Sequence, residues 1–325
     1  GSRGDESIRA RIRLHGAQLP QGRAPRQEAC IRLIREAAER GVNFFDTAEG
    51  YGPFTNELIV GEALKGYGDR VFICTKFGHK YENGRRVMGE EDSSPASIRR
   101  ACEGSLRRLG VEAIGIFYQH RADPKTPPET VAETAAELIK EGKVLKFGMC
   151  EVGASTIRRA HAVCPITAIQ SEYHLMHRTV EDNDVLAACH ELGIGFVPYS
   201  PINRGFLGGL INEYSRFEGS DNRRDLPRFQ PDAIRANLRI VEILNEFGRP
   251  RGLTSAQAAL AWLMSKSPNI VPIPGTTKLS HLEENLRSAD AKLSESEIAG
   301  LEDSISKIEI VGARYNAEQQ RKVES

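Results

Sequence analysis

The chain has 325 residues, 40% of them hydrophobic and 27% charged, and its 44 basic side chains are balanced by 44 acidic ones. A chain of this size can bury a large core, and its even charge gives no global field to attract nucleic acid or an anionic membrane, so a small-molecule partner is expected. No apolar run approaches the roughly 18 residues that a spanning helix needs, and Cys30, Cys74, Cys102, Cys150, Cys164 and Cys189 are scattered without a CxxC pair, which argues for a reducing cytoplasm and against a disulfide framework or zinc cluster.

Residues 1–25 are rich in Arg and Gly, show little periodicity, and read as an atypical leader or an expression-derived segment, with 11–14 as the best candidate for a first strand. Residues 26–325 read as one domain. From residue 27 onward, short β-branched or aromatic runs alternate with longer amphipathic ones. The predicted strands are 42–45, 71–75, 114–119, 145–149, 167–170, 195–198 and 270–273; the helices among them are 26–40, 57–65, 95–109, 128–141, 154–162 and 180–192. Strands that alternate with helices imply a parallel sheet, and with 11–14 they number eight, enough to close an α/β barrel of the (β/α)8 TIM type. The connection before the last strand is long, with a polar segment at 212–231 and helices at 232–247 and 255–266, and 295–307 adds a further helix. It is expected to form a lid or extra peripheral helices. Arg99, Arg100, Arg107 and Arg108 read as a solvated basic face, and His161, His174, His177 and His190 as solvated or structural.

In parallel barrels the reactive groups sit at the carboxyl ends of strands. The polar residues following the second, third and fourth apolar runs are Asp46 in FFDTA, Lys76 in ICTKFG and His120 in FYQHR, and Tyr51 lies in the loop five residues after Asp46. Neighbouring strands are about 4.8 Å apart, so these four side chains can converge. Such a group suits carbonyl reduction, because a hydride arriving at carbon leaves an alkoxide that needs a proton. Tyr51 would supply it, helped by the ammonium of Lys76. Asp46 would hold Lys76 by a charge-assisted hydrogen bond, and His120 would orient the substrate oxygen. A metal-dependent hydrolase using His120 and Asp46 on the same barrel lacks an HxH pair, so no metal site is expected.

FFDTAEGYGPFTNELIVGEAL, TKFG, YQHR, IRRAHAVCPITAIQSEYHL, VPYSPINRGFL and IPGTTKLSHLEEN occur in this order. From about Glu28 to the end, the chain resembles the aldo-keto reductase superfamily, most closely the branch with perakine-reductase-like and pyridoxal-reductase-like enzymes. The resemblance implies a (β/α)8 barrel with NADPH or NADP lying across its carboxyl-terminal face, and a catalytic tetrad falling on Asp46, Tyr51, Lys76 and His120. It places Tyr199 against the nicotinamide, and Cys150 and Gln170 at its carboxamide. The pyrophosphate would lie along Ser200, Pro201, Ile202, Arg204 and Gly205. Gly275, Thr276, Thr277, Lys278 and His281 would meet the 2'-phosphate end, with Glu284 and Asn285 at the adenine. The chain departs from the family's wording at Cys150 (usually serine), Asn203 (usually glycine), Met176 and His177 (usually tryptophan and its neighbour) and His281 (often arginine), and nothing between Arg3 and Arg26 resembles the family's amino-terminal hairpin.

The expected activity is NADPH-dependent reduction of an aldehyde or ketone by a cytoplasmic enzyme. An alternative is an NADPH-binding regulatory subunit similar to potassium-channel β subunits. Against it stands the lack of an inactivation segment or a long apolar docking patch. Tyr51, Phe54, the residues around Met88 and segment 212–231 are expected to shape the substrate pocket.

Overall fold

The structure is a computed structural model; it describes residues 12–13, 24–219 and 221–323, except for the side chains of 12, 13 and 24–26. Most of the leader therefore lies outside the described residues. Its predicted strand does occur, as β1 (Ile12–Arg13), which pairs in parallel with β2 (Phe44–Asp46). Between them runs α1 (Ala24–Glu39). The chain continues through α2 (Thr55–Leu64), β3 (Phe72–Phe77), β4 (His79–Glu82), β5 (Arg85–Glu91), α3 (Pro95–Leu109), β6 (Ile114–Gln119), α4 (Pro128–Lys140) and β7 (Val144–Cys150). Then follow α5 (Ala154–Val163), β8 (Ile166–Gln170), α6 (Val185–Glu191) and β9 (Gly195–Phe196), and beyond them the outer helices α7 (Pro231–Gly248), α8 (Ser255–Ser265), α9 (Leu279–Arg287), α10 (Glu295–Ser306) and α11 (Ala317–Gln320).

The parallel sheet runs in the order β1-β2-β3-β6-β7-β8-β9, the curl of a (β/α)8 barrel. The predicted strand at 270–273 is present only as single parallel bridges, Ile270 to Phe196 and Ile273 to Tyr199. Its sequence explains the correction: Pro272 and Pro274 have no N–H to give a ladder. The predicted helix at 180–192 is likewise shorter, because Asp184 takes a left-handed φ of 63° and α6 begins only after it.

One element goes beyond the sequence prediction. β4 and β5 form an antiparallel hairpin off the carboxyl end of β3, and Asn83 and Gly84 at its turn have φ values of 50° and 73°. Two left-handed residues match the twist of a tight hairpin, the conformation Asn-Gly adopts at least cost.

Helix ends follow local chemistry. Ser94 caps α3 by accepting from the Ser97 amide, and Gly110 closes it in the left-handed region. Thr254 with Gln257 and Ser294 with Glu297 make reciprocal capping boxes on α8 and α10. The main apolar core lies between the sheet and helices α3 to α8, with Trp262, Phe117, Phe147 and Phe196 fully buried in it. The supposedly solvated face of α3 is partly engaged: Arg108 donates to the buried Glu57 carboxylate at 2.6 Å and lies over the Phe54 ring, and Arg99 pairs with Glu137 and Glu141 of the neighbouring α4 region.

Candidate active site

Side chains on a barrel strand alternate between lumen and helices. The lumen row contains Phe44, Cys74, Ile116, Tyr118, Cys150, Ala168, Val197, Tyr199 and Ile273. Two residues beyond Phe44, Cys74 and Ala168, the same alternation brings Asp46, Lys76 and Gln170 inward at the carboxyl ends of β2, β3 and β8. Gly148 makes room for this row: a Cβ there would lie 2.4 Å from the ring of Tyr118.

The four residues predicted to form the tetrad are brought together. Lys76 and Asp46 are 0% and 2% exposed, and Lys76 Nζ donates to Asp46 Oδ1 at 2.5 Å and to the Thr47 carbonyl at 2.7 Å. Gln170 Nε2 donates to the second Asp46 oxygen at 2.9 Å. A buried ion pair offsets its desolvation cost only when the remaining polar atoms are also engaged, and here both carboxylate oxygens are. Lys76 Nζ stands 5.1 Å from the centroid of the Tyr51 ring, and Tyr51 meets the His120 ring edge-on at 5.6 Å and 80°.

Behind this group is a second buried carboxylate. Glu57 accepts from Thr75, the neighbour of Lys76 on β3, and from Arg108. Glu49, two residues before Tyr51, is pushed up to about 8, first by burial and then by the charge of Glu57, while Arg108, Arg100 and Arg86 pull it back.

A polar layer closes the barrel mouth. The Tyr199 hydroxyl donates to Glu151 at 2.6 Å and shares a 2.6 Å hydrogen bond with the Tyr315 hydroxyl. Arg314 grips both oxygens of Glu151, at 3.0 and 2.8 Å, and reaches Glu172 at 3.4 Å. Arg121 donates to Tyr315, and Arg204 lies over the Tyr315 ring. Burial would raise the Glu151 carboxyl, yet Arg314, Arg121 and the Tyr199 hydroxyl outweigh it and hold the group below its ordinary value. Glu172 is held down in the same way against burial, by His174, Arg204 and Arg314. His174 is buried and bonded to Glu172 at 3.0 Å, a structural histidine as expected.

The residues predicted along the pyrophosphate form a tight turn. Ser200, Asn203, Arg204 and Gly205 have φ values of 50°, 47°, 53° and 94°, a run of left-handed backbone of the kind that makes concave anion cradles. Pro201 is buried within this turn and Ile202 is half-buried. Arg223 donates to the Arg204 carbonyl at 3.1 Å, and its guanidinium lies 3.9 Å from where a Gly205 Cβ would project.

The predicted adenosine end is a separate groove of about 560 Å³, whose walls include Thr254, Gln257, Ser280, His281, Glu284 and Arg287. Lys278 caps α9 from its exposed position, its amide held by the Thr276 hydroxyl at 3.1 Å, and Gly275 and Thr277 are exposed beside it. Asn285 is 7% exposed, and its Nδ2 has no hydrogen-bond partner among the described residues. Two predicted placements are more specific in the structure than in the sequence. Gln170 is committed to Asp46, and Cys150 is buried at the end of β7, across from Gln170 in the register of β8.

Glu151, Glu172, Arg121, Arg223, Arg314 and Tyr315 join the site without having been singled out. Glu151 and Glu172 stand just after strands, where the strand-end rule that found Asp46 and Lys76 would also have found them. Arg314 and Tyr315 carry no such signal.

The sequence profile of the aldo/keto reductase family matches residues 13–306, a stretch that begins inside the segment read as a leader. A glycerol dehydrogenase from Gluconobacter oxydans is similar in structure, with 26% identity over 92% of this chain and 91% of that one and a TM-score of 0.83. A thermostable aldo-keto reductase solved with the inhibitor epalrestat gives 25%, 93%, 97% and 0.74 in the same terms. The fold is shared by an aldo/keto reductase from Klebsiella pneumoniae solved with NADP and acetate, with 24% identity over 95% of this chain and 94% of that one and a TM-score of 0.71. With nine-tenths of its length matched by the family profile, the chain belongs to the aldo/keto reductase family.

Proposed function

We propose that this protein is an NADPH-dependent carbonyl reductase in which Tyr51 is the proton donor to an aldehyde or ketone oxygen. The observation that carries the reading is the buried Lys76, locked to Asp46 at 2.5 Å and facing the Tyr51 ring at 5.1 Å. An ammonium beside a phenol stabilises the phenolate and so makes the phenol a better acid. Asp46 and Gln170 keep Lys76 in place, and His120, whose ring meets Tyr51 edge-on, would donate a hydrogen bond to the same substrate oxygen.

The residues fit a dinucleotide. The left-handed cradle at 203–205 with Arg223 above it suits a pyrophosphate, and the amino end of α9 with Lys278 suits a phosphate. The Asn285 amide, buried with an unmet donor, suits the acceptor nitrogens of a purine. When bound, NADPH would supply the hydride. Tyr199, fixed by Glu151 and Tyr315, would be the nicotinamide platform. The NADP and NADPH found in the Klebsiella pneumoniae enzymes support this choice of cofactor.

Tyr51→Phe removes the transferable proton and leaves the ring. The rate with a simple aldehyde is expected to fall at least ~100-fold with little change in NADPH binding. Near-parent turnover in this variant would take Tyr51 out of the mechanism.

A further inference from the structure

The hairpin β4–β5 is more than a flap beside the site, because its first residue lies between the ring of His120 and the backbone just before Tyr51. His79 is 5% exposed, and its ring lies 4.6 Å from that of His120 at a tilt of 42°. On its other side His79 abuts the Tyr51 loop: a Cβ on Gly50 would come within 2.8 Å of His79 Cδ2 and 3.2 Å of Nε2. The imidazole therefore fills the space between the backbone just before Tyr51 and the side chain of His120.

The hairpin register holds this wedge. His79 is paired across the strands with Glu91, and its Nδ1 lies 2.5 Å from Glu91 Oε2. Glu91 is in turn 3.3 Å from Lys322, near the end of the described chain, and 4.0 Å from Arg86. Burial works to raise the Glu91 carboxyl, but His79, Arg86 and Lys322 hold it below its ordinary value, so it is an acceptor. Burial, partly opposed by Glu91, lowers His79 and keeps its ring neutral near pH 7. A neutral ring facing a carboxylate at that distance must carry its proton on Nδ1. Arg86, 3.0 Å from the same nitrogen, then adds charge to the Glu91 side of the pair and cannot be a second donor to Nδ1.

We infer that His79, fixed in its Nδ1–H tautomer by Glu91, is a positioning residue that sets the angle of His120 against Tyr51. The inference rests on the tetrad reading above, in which His120 and Tyr51 act on the substrate oxygen. It predicts a dependence of turnover on two residues outside the tetrad. Small errors in the placement of reacting groups are costly, with about 1 Å able to cost ~100-fold in rate.

The test compares the full-length enzyme with NADPH and a simple aldehyde in four variants: His79→Ala, Glu91→Ala, the double variant and Tyr51→Phe. His79→Ala should lower kcat by roughly tenfold or more, while KM for NADPH and for the aldehyde stays within about twofold. The double variant should be no slower than His79→Ala, because Glu91 acts only through His79. In the parent, long-range proton–nitrogen NMR spectra of the histidines should place the His79 proton on Nδ1, a measurement independent of how the variants fold. Parent-level kcat in His79→Ala, multiplicative losses in the double variant, or a proton on Nε2 would each overturn the inference. Tyr51→Phe separates this failure from that of the reading beneath it. An inactive Tyr51→Phe beside a fully active His79→Ala rejects only the wedge, whereas an active Tyr51→Phe rejects the tetrad reading itself.

Discussion

Lys76, 5.1 Å from the ring of the proposed proton donor, and Glu49, two residues before it in the chain, should fail differently when changed. Lys76→Met removes the ammonium and leaves Asp46 buried without its cation, a loss of about 3–5 kcal/mol when a buried pair is broken on one side. Lys76→Met with Asp46→Asn avoids the orphan charge, so this double variant should fold more stably while remaining slow. Its alkaline limb in a pH–rate profile should move upward, since the phenol has lost the charge that favoured its ionisation; an unmoved limb would count against the assignment. Glu49 acts on stability. Its carboxyl is raised to about 8 in the fold from an ordinary value of 4.5, so the native state holds a proton there that the unfolded state has already lost. Its contribution is fully present below pH 4.5 and is lost as pH rises through about 8, at up to about 1.4 kcal/mol per pH unit in that window. Glu49→Gln imitates the protonated form at every pH. Its urea midpoint relative to the parent should therefore climb from pH 5 to pH 8 and level off above, and parallel curves would show that Glu49 titrates normally.

At the scale of elements, the segment after α10 ties the barrel mouth together. Gly312 adopts a φ of 87° and passes so close to the 227–228 backbone that a Cβ would lie 2.8 Å from Arg228 Cα. Arg314 and Tyr315 then drop onto Glu151 and Tyr199, and Lys322 reaches the hairpin. Arg314→Ala leaves Glu151 buried and without its bidentate partner, and should cost about 3–5 kcal/mol in urea unfolding. Gly300→Ala, in α10 where a Cβ would meet nothing within 4 Å, should instead be neutral or stabilising by about 0.5–1 kcal/mol. Equal effects of the two would mean that the segment bears no load on the mouth. These elements also mark where the sequence is readable. β6 is plain, because its run of apolar residues is buried on both faces. The hairpin carries an Asn-Gly turn signal, but its flanks, HKYE and RRVMGEE, are too charged to display an alternating apolar face. Asp46, Lys76 and His120 were legible because strand ends in a barrel converge by geometry. Arg314 was not: it meets Glu151 across 163 residues of chain, and no local pattern encodes such a contact.

For the whole molecule, the dinucleotide is expected to be a structural clamp as well as a reactant, since the proposed site runs from the cradle at 203–205 to α9, two regions separated by α7 and α8. A ligand that binds only the folded state stabilises it by about 2.7 kcal/mol at 100 times its dissociation constant, which for a chain of this length is a rise in Tm of the order of 5 °C. NADPH should produce such a rise and NADH a smaller one at equal concentration, because the two differ only in the 2'-phosphate. The difference between them thus isolates the contacts around Lys278 and His281. Lys278 is exposed at the amino end of α9, where backbone amides add to its charge, so Lys278→Ala should shrink the NADPH shift toward that of NADH and leave the NADH shift unchanged. His281 lines the same groove, at the position where many family members have arginine. An arginine there can grip a phosphate with two donors, so His281→Arg should widen the gap between the cofactors. A substitution that merely tightened the fold would raise Tm with both cofactors and with none, leaving the gap as it was. Equal shifts with NADPH and NADH in the parent, or a gap indifferent to both substitutions, would move the 2'-phosphate away from α9 and with it the proposed preference for NADPH.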